Sequence, residues 1–413
     1  MNYQETVNYL FNSTPVFEHV GASAYKEGLA NTLALDEHFC HPHRHYQTIH
    51  VAGTNGKGSC SHTLAAILQA EGYRVGLFTS PHLVDFRERI RVNGKCIPEQ
   101  YVVDFVQQER HFFEPLHPSF FELTTAMAFK YFRDMGVEVA VIEVGLGGRL
   151  DCTNIISPIL SVITNISFDH TQFLGNTLAQ IAREKAGIVK PHTPVVVGES
   201  TIETRPVFEA VAQEKNAPLF FAEEFAIPEE MDFDFELKGS YQQKNRRTIL
   251  CAASHTPLIH SQESIRYGMA HVVELTSLMG RWQKLREHPT VVCDTGHNVG
   301  GWEYLSRQIK AQPCRHLHII FGMVDDKDID AVMDMLPADA TYYFTQAQSK
   351  RAIPAERVAA KGRERHLIGT AYPHVRDAYE AALQHSHADD FIFVGGSSYV
   401  VADLLSTYDK MTG

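Results

Sequence analysis

Short apolar runs rich in β-branched residues recur along the chain, separated by helical patterns of about ten to fifteen residues. This is the signature of βαβ units and a parallel sheet. The spacing predicts strands at Thr48–Ala52, Arg74–Thr79, Glu138–Val144, Ile159–Asn165 and Pro194–Val197. A second series is predicted at Thr290–Asp294, Leu317–Gly322, Thr341–Phe344 and Phe391–Val394. Between the two lies Gln283–Pro289, with three charged residues, a His and a Pro, and no apolar periodicity beyond Leu285. The pattern therefore predicts an α/β fold divided into an N-terminal domain over 1–283, a linker over 284–289 and a smaller domain over 290–413, each starting its own sheet. No repeat is found at periods of roughly 20 to 50 residues.

A length of 413 residues fits two or three domains, each able to bury its own core. Apolar residues make up 44% and charged residues 21%, which is ordinary for a folded globular chain. The 37 Lys and Arg against 49 Asp and Glu give a net charge of −12, the wrong sign for gripping a phosphate backbone, so nucleic acid is not an expected partner. Seven scattered cysteines, an odd number with no C-x-x-C pair, suggest reduced thiols rather than a disulfide framework or a thiolate zinc site. The polar, acidic start and the lack of any window of about 20 apolar residues point to a cytoplasmic protein without membrane contact.

Chemistry concentrates at predicted strand ends, where parallel sheets bind ligands. The segment Val51-Ala52-Gly53-Thr54-Asn55-Gly56-Lys57-Gly58-Ser59 joins a strand to a helix carrying Leu64, Ile67 and Leu68. Its glycines would let backbone N–H groups approach a polyphosphate, and Lys57 would add a point charge at the β and γ phosphates. The strict Walker spacing is not met, and Ser59 sits one place later than the usual Ser/Thr. Ser80, Glu143 and Asp169-His170 follow or end three further strands, so one sheet edge would collect a phosphate loop, a hydroxyl, a carboxylate and an imidazole. Ser80 and Glu143 supply the oxygen ligands that Mg²⁺ prefers beside phosphates. Lys185 falls four residues after Ile181 and seven after Leu178, on the apolar face of a helix opened by a Thr177/Gln180 capping pattern and closed by Gly187. Desolvation there would lower the pKa of its amine, the alternative being a lysine snorkelling to solvent. Asp294-Thr295-Gly296-His297-Asn298 ends a strand of the second series, and Phe120-Phe121-Glu122 could line a pocket for an aromatic ring. The run His38–His45 reads as a solvated loop rather than a metal tract, with Pro42 and Arg44 interrupting its histidines.

The motifs HVAGTNGKGS (His50–Ser59), TSPH (Thr79–His82), IEVGLGGRLDCTN (Ile142–Asn154), DH (Asp169–His170), EKAGIVK (Glu184–Lys190), YQQKN (Tyr241–Asn245), GRWQ (Gly280–Gln283), DTGHN (Asp294–Asn298) and FGMVDDKD (Phe321–Asp328) stand together in one chain. In that order and spacing the sequence resembles the folylpolyglutamate synthase/dihydrofolate synthase family, folate relatives of the Mur peptide ligases. The resemblance covers nearly the whole chain. It implies a P-loop ATPase domain followed by a Rossmann-like domain, with the active site between them. It implies that Thr54, Asn55, Gly56, Lys57, Gly58 and Ser59 hold the ATP phosphates, and that Asn245, Arg281, Asp294 and His297 match the other nucleotide contacts. Ser80, Glu143 and His170 would coordinate Mg²⁺, with Lys57, His170 and Lys185 forming the catalytic set. Lys185 matches a position carbamylated in relatives, where the carbamate supports a second Mg²⁺; a monovalent cation is a further candidate. The pteroate end would lie near Tyr25, Lys26, Phe120, Phe121, Glu122, Leu150 and Asp151. The sequence departs from the family's usual pattern in reading DTGHN where DGAHN is common, and Arg246-Arg247 where small residues are frequent.

The reaction implied is ATP-dependent activation of a folate carboxylate as an acyl phosphate, followed by attack of the L-glutamate amine. Both family activities are expected of a monomer: dihydropteroate plus glutamate, and extension of reduced folates by γ-linked glutamates. The rivals are a monofunctional folylpolyglutamate synthase, a Mur-type peptide ligase, and a P-loop kinase or ATPase that does not ligate.

Overall fold

The computed structural model describes residues 1–13 and 28–412, which divide into two compact units. The first comprises Met1–Glu236 and Gln242–Leu278, and the second Leu237–Tyr241 and Met279–Gly413. The polar segment expected as a linker is not one. Gln283–Arg286 forms an edge strand of the second unit, antiparallel to its neighbour, and the chain passes between units earlier, at Leu278/Met279. Its alternating exposed and half-buried residues mark one solvated face, which the polar composition reflected.

The first unit is built on eight strands: β1 (Gln47–Ala52), β2 (Val75–Phe78), β3 (Ile90–Val92), β4 (Lys95–Cys96), β5 (Val139–Glu143), β6 (Leu160–Ile163), β7 (Val195–Val197) and β8 (Leu219–Phe221), in the order β4-β3-β2-β5-β1-β6-β7-β8. All pairs are parallel except β2/β3 and β3/β4. Strands β1, β5 and β6 are buried almost throughout because helices cover both faces, and so they read as continuous apolar runs. One face packs on a core including Phe78, Phe120, Phe129, Phe132 and Ile142, the other on a core including Ala52, Ile163, Ile181, Ile188 and Val197. β1 is central, between β5 and β6, so the loop that leaves it opens at the middle of the sheet's C-terminal rim.

The second unit holds six strands: β9 (Gln283–Arg286), β10 (Thr290–Cys293), β11 (Leu317–Phe321), β12 (Thr341–Thr345), β13 (Ile368–Tyr372) and β14 (Phe391–Gly395), ordered β13-β12-β11-β14-β10-β9. Only β9 runs antiparallel to its neighbour. Trp302, Phe321, Phe344 and Phe393 centre its core.

Immediately after the β1 loop, the helix Lys57–Ala70 is buried from Gly58 to Leu68, because it lies against the sheet on one side and the helices Gln242–Ser254 and Gln262–Ala270 on the other. The approach is close. A Cβ on Gly268 would stand 2.6 Å from both the Cα and the backbone N of Ile67. Gly268→Ala gains about 1 kcal/mol of helix propensity but forces two backbones apart, and the steric term is the larger. Urea denaturation should show a net loss of roughly 1–2 kcal/mol, and an unchanged or raised midpoint would contradict this packing.

Candidate active site

The loop after β1 is shaped by two glycines. Gly53 (φ +145°) lies so close to Thr164 that any Cβ would strike its hydroxyl, and Gly56 (φ +84°) is left-handed and would strike the Asn245 amide. The loop is pinned from below: Asn55 N donates to Asn165 Oδ1 at 2.8 Å, Thr164 Oγ1 donates to Asn55 O at 2.5 Å, and Thr54 Oγ1 donates to Ser167 O at 3.2 Å. Gly56 caps the helix Lys57–Ala70, so Lys57 and Gly58 open its first turn, and Lys57 Nζ curls back to Thr54 O at 3.3 Å. The result is a backbone cradle at a helix N-terminus with an amine above it, suited to phosphate. The Ser59 hydroxyl is turned elsewhere. It is buried and accepts from Gln242 Nε2 at 3.0 Å, tying the cradle to the helix that carries Asn245. Asn245 itself is held by donation to Gln242 Oε1 at 2.8 Å.

Lys185 lies beneath the same loop. It is 5% exposed on the inner face of the helix Leu178–Ala186, and its Nζ donates to Gly53 O at 2.9 Å. Burial, with the Lys57 ammonium adding to it, lowers its pKa to about 7, against the opposing pull of Asp169 and Asp151. The snorkelling alternative is thereby excluded. The capping pattern holds in part: Thr177 Oγ1 accepts from Gln180 N, but the Gln180 side chain accepts from Asn176 N rather than from Thr177. Gly187 is no left-handed terminator, since its φ is −60°. It is needed because a Cβ would strike Arg149, whose N donates to Glu184 O at 2.8 Å. A Cβ on Gly148 would in turn meet the carbonyls of Lys185 and Glu184 at 2.8 and 2.9 Å. The GLGGR and EKAG motifs are thus two halves of one backbone contact that places Lys185.

Glu143 ends β5, is 3% exposed, and accepts from Ser80 N at 3.4 Å across the adjacent end of β2. His170 follows β6 in a left-handed conformation (φ +50°), its N donating to Asp169 Oδ1 at 2.9 Å. Ser80 N and the Glu143 carboxylate are hydrogen-bonded to each other, while His170 follows β6, which lies beyond β1 from β5. No group of three or more His, Cys, Asp or Glu side chains that could hold a metal occurs among the described residues. One carboxylate, one hydroxyl and one imidazole make no closed cage. They fit magnesium, which keeps waters and completes its shell with substrate phosphates.

The triplet Phe120-Phe121-Glu122 divides. Phe120 is core, stacked on Phe11 at 4.7 Å with the Arg89 guanidinium 5.1 Å from its ring centroid. Glu122 is buried and accepts from Ser119 N at 2.6 Å as half of a capping box, so its carboxylate belongs to the helix start. Phe121 reaches the loop after β5: a Cβ on Gly145 would meet its ring at 2.5 Å and Asp151 Oδ2 at 3.2 Å. Asp151 is buried, which raises its pKa, and accepts from Leu146 N (2.8 Å) and from Thr153 N and Oγ1 (3.0 and 2.5 Å). Leu150 is half-buried in the same turn. Tyr25 and Lys26 lie outside the described residues.

In the second unit Asp294, 3% exposed, accepts from Tyr241 Oη (2.6 Å), Trp282 N (2.7 Å) and Gly296 N (2.8 Å); burial raises its pKa. Thr295 Oγ1 donates to Gly280 O at 3.1 Å and accepts from Arg281 Nη1, so the hydroxyl that distinguishes DTGHN from DGAHN fastens Arg281 and Gly280 to this loop. His297 Nδ1 lies 3.0 Å from Thr295 O. Arg246 and Arg247 are engaged elsewhere, with Asp232 and the 231 and 233 carbonyls, and with Glu223 O, respectively. The His38–His45 run is solvated in part, with His38, Cys40, Arg44 and His45 exposed, but His41 and His43 share the Asp36 carboxylate at 2.6 and 2.8 Å, and His43 is buried.

Residues 51–224 match the Mur ligase middle domain and 280–398 the Mur ligase glutamate ligase domain. The dihydrofolate synthase/folylpolyglutamate synthase of Escherichia coli is 35% identical over 87% of this chain and 86% of its own length. The chain belongs to the folylpolyglutamate synthase/dihydrofolate synthase family. The folylpolyglutamate synthase of Lacticaseibacillus casei, 32% identical, aligns over 98% of this chain and 99% of its own. Among solved structures, E. coli FolC in complex with DHPP and ADP superposes with a TM-score of 0.88 at 30% identity, covering 100% of this chain and 99% of that one. The bifunctional Yersinia pestis enzyme complexed with AMPPNP and Mn gives 0.84 at 29% identity, covering 99% and 98%. The middle-domain match falls within the first unit described above and the glutamate ligase match within the second.

The lowered pKa of Lys185 has a signed consequence. Between pH 7 and its unfolded value near 10.4 the amine is largely neutral in the folded chain and protonated in the unfolded one, so stability rises with pH across that window. In carbon-dioxide-free buffer, the wild type should gain up to about 1.4 kcal/mol per pH unit relative to Lys185→Met, read by urea denaturation. Parallel curves for the two proteins would contradict a desolvated amine.

Proposed function

We propose that this protein is an ATP-dependent ligase that joins L-glutamate to folates, acting both on dihydropteroate and on reduced folates already carrying glutamate. The observation that carries this reading is the phosphate cradle with Lys57 above it, beside Glu143 and Ser80, in a chain of this family. Its thiols are all unpaired in the described residues, which suits a cytoplasmic, reducing location, and we take the working form to be a monomer.

In the reaction, an oxygen of the folate carboxylate attacks the γ-phosphorus of ATP and ADP departs, leaving an acyl phosphate. The glutamate amine then attacks the acyl carbon and phosphate leaves, so the products are the amide, ADP and inorganic phosphate. Backbone N–H groups of Gly56, Lys57 and Gly58 bind the phosphates, those of Thr54 and Asn55 being held by Asn165, and Lys57 offsets charge on the transferring group, while fixed positions replace the entropy of a three-reactant encounter. Ser80, Glu143 and His170 would hold magnesium, and a second ion would be supported by Lys185; bound there, the metal neutralises phosphoryl charge. A neutral Lys185 amine is competent to take up carbon dioxide as a carbamate with loss of one proton. Asn245, Arg281, Asp294 and His297 serve the nucleotide, with Phe121, Leu150 and Asp151 at the pteroate end.

Purified protein with ATP, magnesium and labelled glutamate, offered dihydropteroate and tetrahydrofolate separately, should incorporate label with each, and Lys57→Ala should lower both rates by at least about 100-fold. Incorporation with tetrahydrofolate alone would make the enzyme monofunctional. ATP turnover independent of pteroate and glutamate would overturn the ligase reading.

A further inference from the structure

His50 lies in β1, two residues before the end of that strand, and nothing in the reaction above uses it. Its ring is fully buried. Nε2 lies 2.9 Å from Thr153 Oγ1, while Nδ1 is enclosed with no hydrogen-bond partner. Thr153 Oγ1 in turn lies 2.5 Å from Asp151 Oδ1. A hydroxyl has one proton, and at that separation from a carboxylate oxygen it points to Asp151. Thr153 Oγ1 is therefore an acceptor toward His50, so Nε2 carries hydrogen. Burial, helped by the Lys190 ammonium, lowers the His50 pKa to about 3, leaving a neutral ring with a bare Nδ1. Donation runs one way, from His50 through Thr153 to Asp151.

The far end of this relay faces the candidate folate corner. Asp151 Oδ1 is taken by Thr153, through both its N and its Oγ1, and Oδ2 accepts from Leu146 N beside the Gly145–Phe121 contact. A carboxylate oxygen next to an aromatic edge suits a flat heterocycle with neighbouring N–H donors. We propose that His50 is a positioning residue for folate recognition: through Thr153 it fixes the Asp151 rotamer so that Oδ2 is presented at the Phe121 corner. This rests on the functional reading above. An apolar group at position 50 leaves the Thr153 hydroxyl free to turn, and the carboxylate loses the constraint on its far oxygen. A glutamine can supply an N–H in place of Nε2.

The test is steady-state kinetics on His50→Leu, His50→Gln, Thr153→Val and the double variant His50→Leu/Thr153→Val. His50→Leu and Thr153→Val should raise KM for dihydropteroate about tenfold. KM for ATP should stay within about twofold of the wild type. His50→Gln should recover most of the loss, and the double variant should be no worse than Thr153→Val, because both changes cut one chain. Equal behaviour of the Leu and Gln variants, additive losses, or a parallel rise in KM for ATP would overturn the proposal. Wild-type protein that turns over no folate substrate would instead overturn the functional reading, and the proposal with it. Long-range proton–nitrogen NMR on wild type decides independently of variant folding: the Nε2–H tautomer of His50 is expected, and the Nδ1–H tautomer would refute the relay.

Discussion

Crowding of backbone at the C-terminal rim of the first sheet is the constraint on which the site depends. Among the glycines there that stand where a Cβ would strike a neighbouring residue are those at positions 53, 56, 148 and 187, and of these four only the first two have positive φ. The requirement at Gly148 and Gly187 is close approach rather than turn geometry. Because these segments nest so tightly, little water reaches the groups they enclose. An amine, a carboxylate and an imidazole are buried within this crowded rim, at Lys185, Asp151 and His50. Each answers desolvation in the direction its charge dictates: the bases lose affinity for their protons and the acid gains it. A tight fold and a set of poised protonation states are here the same fact.

Much of this was legible in the sequence, for a physical reason. Strands covered by helices on both faces read as unbroken apolar runs, and all nine predicted strands correspond to observed ones within a residue or two at each end. Several of the strands that went unread lack that cover. β13 is mostly exposed along its length, with Ile368 at 75%, and β9 alternates half-buried and exposed residues, so composition alone made it resemble a linker. The β3–β4 hairpin did carry a signal, the Asn93-Gly94 pair, both with positive φ.

At the site, patterning located Lys185 because helical spacing is a one-dimensional statement about a face. It could not foresee that Ser59 is claimed by Gln242, or that Glu122 is spent on a cap with Ser119, because those partners are set by packing and by a local bond that competes with function. The Ser119/Glu122 pair was itself a readable capping box, and it argued against Glu122 as a ligand. Thr295 shows the converse. A departure from the usual motif turns out to be a hydroxyl with two defined partners, Gly280 and Arg281, and so a substitution with its own compensation.

Asp151 and Asp294, in different units, solve one problem in one way. Each is a buried carboxylate in a loop that follows a strand, each accepts backbone N–H groups from the loop it organises, and each takes one side-chain hydroxyl, from Thr153 or Tyr241. A buried charge is costly until its oxygens are satisfied, and once satisfied it penalises any loop conformation that removes a donor. Such a carboxylate therefore selects a single loop geometry more sharply than apolar contacts would. Tyr241 and Trp282 stand close to the points where the chain passes between units, and both donate to Asp294, which also receives Gly296 N from the loop bearing His297. The crossing segments and the site loop consequently share one acceptor, so a disturbance of either crossing reaches that loop through two bonds.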